Sequence, residues 1–171
     1  MAIYHHRESK EQIRCVAWFR REYPEFARLL EHPRNEGTSN DRTDRQRQAI
    51  AKAEGVQAGA ADLFIHFPSV CHVWKGEIQE EPFMVCCLAI EMKTKTGRQS
   101  PEQKIFQRYF EAGGGQYEIV RSYEDFQRVV KDYMAGVPKY IRDAVKEVYN
   151  EIEAETLASA KAELKRIISK A

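Results

Sequence analysis

Two stretches carry the reading of this chain: GVQAGAADLFIHF (55–67) and FMVCCLAIEMKTKTGRQSPEQ (83–103). Each contains an apolar, β-prone run of strand length. The first begins at Asp62; the second stays apolar on both faces until Glu91, as expected of a strand central in its sheet. Glu91 and Lys93 are two residues apart and so share one face of that strand, while Ile90 and Met92 take the other. Charges at the end of a buried strand need partners. An antiparallel pairing of the two runs would bring Asp62 to Glu91 at one sheet edge, where two carboxylates repel unless a cation sits between them. Mg²⁺ or Mn²⁺ suits such oxygen donors, and a neighbouring lysine suits the charge of a phosphoryl transition state. Alone, E-x-K is also the pattern of a solvated ion pair; the glycine turn before Asp62 and the basic segment after Glu91 favour the site reading.

Outward from this centre the chain reads as alternating helices and strands. Ser100-Pro101-Glu102-Gln103 has a cap, a proline at the first helical position and a capping-box glutamine, and predicts a helix to about Ala112, ended by three glycines. Tyr117–Val120 is a short strand, and Ser122 caps a helix over about 123–134. Upstream, Ser9 is read as the cap of a first helix with Ile13, Val16, Ala17 and Phe19 or Arg20 following at helical spacing, stopped at Pro24. Residues 25–33 fit a short helix or a strand, 34–41 a loop, and Asp41 a cap for a basic helix over 42–54. SVCHVWKGEIQEE (69–81) reads as a prolonged hairpin turning near Lys75-Gly76, and Cys86 and Cys87 as strand neighbours on opposite faces. From Tyr140 the pattern is one long helix. The resulting fold class is α/β, a mixed β-sheet flanked by helices, with a domain over 1–135 and a C-terminal helical extension over 136–171.

Composition limits the alternatives. A chain of 171 residues, 43% hydrophobic, is globular and sized for one domain. The net charge of +1 argues neither for nor against nucleic acid, so only local clusters speak to it. No apolar run of membrane-spanning length occurs, and the four cysteines show neither a disulfide framework nor zinc spacing, which leads to an expectation of a cytoplasmic protein with reduced thiols. The histidines show no ligand spacing; His66 lies on the strand face of Asp62 and is expected to pack in the core.

Taken together, GVQAGAADLFI … LAIEMKTKTGRQSPEQKIFQRYFEAGGGQYEIVRSYEDF resembles the VRR-NUC branch of the PD-(D/E)xK nucleases over about residues 9–134. The resemblance implies a restriction-endonuclease-like core and metal-dependent hydrolysis of DNA phosphodiesters. Asp62, Glu91 and the backbone carbonyl of Met92 would hold Mg²⁺ or Mn²⁺, with Lys93 catalytic, Gln103 supporting the site and Glu11 of the first helix completing it. Two departures stand out: Ala61 replaces the family's frequent proline, and P-R-N-E-G (33–37) replaces P-N-G-G. Lys95, Arg98, Lys104 and Arg108 form one candidate phosphate track, and Arg34, Asn35, Arg42 and Arg45 a second.

Stand-alone members of this branch resemble junction-resolving dimers of phage or prophage, which implies a structure-selective endonuclease of Holliday-junction-resolvase type, a homodimer, and a bacterial host cytoplasm. Branched or duplex DNA is the expected partner. The alternatives are a repair exonuclease or nickase of the same chemistry, and a DNA-binding module with a vestigial site.

Overall fold

The computed structural model describes residues 2–33, 49–71, 74–75, 78–79 and 82–168, with side chains described from Ser9 onward outside the short strands 74–75 and 78–79 and positions 164, 167 and 168. Helix α1 (Ala2–Glu22) leads through a 3₁₀ helix (Pro24–Leu29) into β1 (Leu30–Glu31). Strands β2 (Leu63–Ile65), β3 (Ser69–Cys71), β4 (Trp74–Lys75), β5 (Ile78–Gln79), β6 (Phe83–Val85) and β7 (Leu88–Met92) follow. Helix α2 (Pro101–Ala112), β8 (Gln116–Val120), α3 (Tyr123–Ala135) and α4 (Lys139–Ile168) complete the chain. Residues 49–53 are helical; Asp41 and the start of the helix expected over 42–54 lie outside the described residues.

The main sheet has the order β1-β2-β7-β8. β1, β2 and β7 are antiparallel and β8 runs parallel to β7, so α2 is the crossover that a parallel neighbour requires. The mixed α/β expectation is met. β7 is buried at all five positions, as its unbroken apolar run implies. Its alternation sends Ala89 and Glu91 to one side of the sheet. There Ala61, Ala89 and Tyr117 form a cluster with Phe64, Ile119 and, from α2, Phe106 and Phe110. Phe106 and Phe110 lie 5.7 Å apart, each about 6 Å from Phe64. The edge-on contacts of Phe64 with both rings are the arrangement that aromatic quadrupoles prefer.

Elsewhere in the core, Trp18 of α1 meets Phe126 of α3 edge-on, and Phe67 packs between Phe26 and Tyr133. Two buried hydroxyls are satisfied by main chain: Ser69 Oγ donates to Tyr133 O, and Tyr133 Oη to Phe67 O.

Four sequence expectations change. The run 83–92 is not one strand: it bends at Cys86-Cys87, so β6 pairs with β3 while β7 pairs with β2. Periodicity cannot mark that bend because apolar residues continue through it. Cys86 and Cys87 therefore do not sit on opposite faces of a strand; their sulfurs lie 3.4 Å apart. In α1 the buried face is Cys15, Trp18 and Phe19, while Ile13 is 68% exposed; a helical window with two apolar faces is decided by what packs on it. The helix also begins well before Ser9.

The chain divides into two compact units, Met1–Gly136 and Val137–Ala171, the second comprising α4. Among the described residues no helix is long and apolar enough to cross a membrane.

Candidate active site

The register of β2 against β7 pairs Leu63 with Ile90, and one step further it sets Asp62 opposite Glu91. Asp62 Oδ2 accepts from the backbone N–H of Met92 at 2.8 Å, which ties the first carboxylate to the end of β7. Glu91 is 1% exposed and one of two buried polar side chains among the described residues. Such a carboxylate is tolerable only with partners, and it has three. Lys93 Nζ and Gln103 Nε2 both donate to Oε1 at 2.5 Å, and Tyr117 Oη donates to Oε2 at 3.2 Å. Burial pushes the Glu91 carboxyl above its ordinary pKa and the nearby Asp62 adds to the rise, while Lys93 and Tyr117 oppose it.

Gln103 is held by the helix start it helps to build. Ser100 Oγ accepts from Gln103 N, and Ser100 N donates to Gln103 Oε1, so both halves of the capping box are formed. With Oε1 fixed as acceptor, Nε2 is left to donate to Glu91. The glutamine thus caps α2 and serves the site with opposite ends of one amide. Gly59, at φ +76, lets the loop before Asp62 lie against the same helix start: a Cβ there would stand 2.4 Å from Glu102 C and 2.7 Å from Gln103 N. Sequence spacing suggested a glycine turn; the close approach is its physical reason.

The structure therefore brings together Asp62, Glu91, Lys93 and Gln103. Glu11 is engaged differently: its Oε1 accepts from Tyr123 N, capping the first turn of α3, where the helix dipole favours a carboxylate. Lys95 and Arg98 are exposed on the loop after β7, and Lys104 and Arg108 are exposed on α2. Arg34, Asn35, Arg42 and Arg45 lie outside the described residues.

Three side chains at the site escaped the sequence reading. Tyr117 is an ordinary core aromatic by pattern, and only tertiary packing aims its hydroxyl at Glu91. Arg121 Nη1 donates to the carbonyls of Thr94 and Gly97 at 2.7 and 2.9 Å and lies 3.4 Å from that of Lys95, gathering the loop that follows Lys93. His32 Nδ1 stands 2.6 Å from the carbonyl of Asp62 and 3.1 Å from Gln12 Nε2, although no ligand spacing marked it. His66, expected in the core, is exposed, stacks on Phe64 and is bonded to Glu31 Oε2 at 2.7 Å.

Among the described residues no cluster of three or more His, Cys, Asp or Glu is placed to hold a metal ion. A hard divalent cation needs fewer: one or two carboxylates, with carbonyl, water and phosphate oxygens making up the rest. A carboxylate has about four lone-pair sites. Glu91 uses three of them, which leaves one on Oε2, and the mutual repulsion of Asp62 and Glu91 is what a cation would relieve.

No protein-family model and no curated protein matches the chain. Among solved structures it is similar to a chain described as a VRR_NUC domain protein, with a TM-score of 0.56 over 76% of this chain and 89% of that one, at 19% identity. The chain has a VRR-NUC fold. In that fold the antiparallel β2–β7 pair and the crossover α2 are what assemble Asp62, Glu91, Lys93 and Gln103 from three separate segments.

Proposed function

We propose that this VRR-NUC-like domain is a metal-dependent DNA endonuclease that hydrolyses phosphodiester bonds, selective for branched DNA in the manner of a Holliday-junction resolvase and acting as a homodimer. The observation that carries this reading is the buried Glu91, held by Lys93 and Gln103 opposite Asp62. A structural salt bridge needs no second carboxylate beside it, and Asp62 raises the cost of ionising Glu91.

Asp62, Glu91 and the Met92 carbonyl are the proposed holders of Mg²⁺ or Mn²⁺. When bound, the ion supplies polarisation of the phosphoryl oxygen and a more acidic attacking water. The remaining work falls to this chain. Lys93 offers Nζ to orient the water and to balance charge gathering on the phosphoryl group as water adds at phosphorus and a sugar oxygen leaves. Gln103 and Tyr117 donate to the Glu91 carboxylate and hold it in place, so its remaining lone pair meets the reaction without rearrangement. Glu11 contributes by seating α3 against α1 at the same end of the sheet. Exposed Lys95, Arg98, Lys104 and Arg108, with Arg34, Asn35, Arg42 and Arg45 as a second group, are the proposed phosphate contacts.

The test is cleavage of a labelled four-way junction and its matching linear duplex with Mg²⁺ or Mn²⁺, beside an Asp62→Ala control. Paired symmetric cuts in the junction alone, absent from the control, support the resolvase. Equal degradation of both substrates keeps the nuclease and removes the junction selectivity. Cutting by the Asp62→Ala protein removes the site.

A further inference from the structure

Helix α2 exposes large apolar residues where a surface helix ordinarily carries polar ones. Tyr109 is 79% exposed and Ile105 56% exposed, one turn apart. Together with Phe106, Phe110, Gln57 and Glu102 they line a cleft of about 650 Å³ between α2 and the loop before β2. Contiguous exposed apolar surface of this kind marks a binding face.

The chemistry around the cleft selects its occupant. Lys104 and Arg108 each precede one of the two exposed residues, so two cations run down α2 beside the apolar strip, both exposed. The polar groups of the cleft, the Gln57 amide and the Glu102 carboxylate, suit the amino and carbonyl edges of a heterocycle. An aromatic floor, polar edges and an adjacent pair of cations match a nucleobase together with its phosphate. The residues that line the cleft neighbour the candidate site along the chain: Gln103 follows Glu102, and the loop that holds Gln57 and Ala58 leads through Gly59 to Asp62. Tyr109 lies six residues beyond Gln103 on α2, a rise of about 9 Å.

We propose that this cleft takes an unpaired nucleobase of the cleaved DNA strand, stacked on Tyr109 and Phe106, with Lys104 and Arg108 on its phosphate. The inference rests on the nuclease reading and adds a preference for DNA whose strand is unpaired, or opens at a branch, beside the cut.

The test compares a forked duplex carrying a single-stranded arm with a blunt duplex of the same sequence, by fluorescence anisotropy with divalent metal chelated. Wild type, Tyr109→Ala and Tyr109→Phe are measured, and thermal melting verifies that both variants fold. Loss of one base–aromatic stack weakens fork binding by about 5- to 150-fold in Tyr109→Ala. Blunt-duplex binding should stay within about twofold, and Tyr109→Phe should bind the fork as wild type does. Undiminished fork binding in Tyr109→Ala, or an equal loss on both DNAs, overturns the proposal. So does sedimentation showing that Tyr109→Ala turns a dimer into a monomer, because the face would then be covered by a second copy. A wild-type protein that cleaves normally while Tyr109→Ala changes nothing refutes the stacking alone. One that binds the fork through Tyr109 but never cleaves refutes the nuclease reading instead.

Discussion

Replacing Gly59 by alanine should separate the geometry of the site from the stability of the fold. The new Cβ would stand 2.4 Å from Glu102 C and 2.6 Å from Glu102 O, about 1 Å inside the 3.4 Å at which ordinary contact begins. Both are backbone atoms in the first turn of α2, so no flexible side chain can yield; the turn itself must shift. Alanine at φ +76 adds about 1–2 kcal/mol of left-handed strain, and the overpacking about 1–3 kcal/mol more. The shifted turn carries Gln103, whose Nε2 reaches Glu91. A displacement of about 1 Å at a catalytic group can cost on the order of a hundredfold in rate. Gly55→Ala is the internal control: its φ is +95, but nothing lies within 4 Å of the added Cβ. Urea melts should therefore show a loss for both variants, larger for Gly59→Ala. Cleavage assays run where both are fully folded should show a large rate defect in Gly59→Ala alone. Equal rates for the two variants would refute the link between this close approach and the proposed site.

Gln103→Glu preserves a capping-box residue but removes the donor to Glu91 and adds a third carboxylate, so helix content should survive while cleavage falls at least tenfold; a fully active variant would show that the amide contact is incidental. Lys93→Ala should abolish cleavage and leave DNA affinity within several-fold, and undiminished turnover would remove the role assigned to that amine. Tyr117→Phe deletes a hydrogen bond to ionised Glu91, so the acid limb of the pH–rate profile should move to higher pH; an unmoved limb would show that Glu91 does not set it. The same carboxyl gives a stability signature. Its folded-state pKa is raised, so its contribution is fully present below the unfolded value and is lost as pH rises through the elevated one, and metal-free urea midpoints should fall across that window, over a wider span in Tyr117→Phe.

Much of the site was legible in one dimension because its parts are local. Glu91 and Lys93 share a face by strand alternation, and Ser100 to Gln103 forms a capping box by helix geometry; neither needs knowledge of the rest of the chain. The α/β order followed from the same local periods. Local patterning could not show where an apolar run bends, and so missed the break at Cys86-Cys87 that divides β6 from β7. Nor could it choose the buried face of α1, because Ile13 and Trp18 both satisfy a helical period.

Tertiary structure alone decided which distant groups meet. The register of β2 on β7 sets Asp62 against Glu91 across 29 positions of sequence. Packing turned Tyr117 from a core aromatic into a hydrogen-bond donor, and aimed Arg121 at the loop after Lys93 and His32 at the Asp62 carbonyl. Glu11, placed at the metal site by resemblance, accepts from Tyr123 N at the start of α3, a contact that no local pattern showed. The physical reason is common to all of these: backbone periodicity fixes which face a residue takes within its own element, whereas partners across elements are set by how the buried faces interlock.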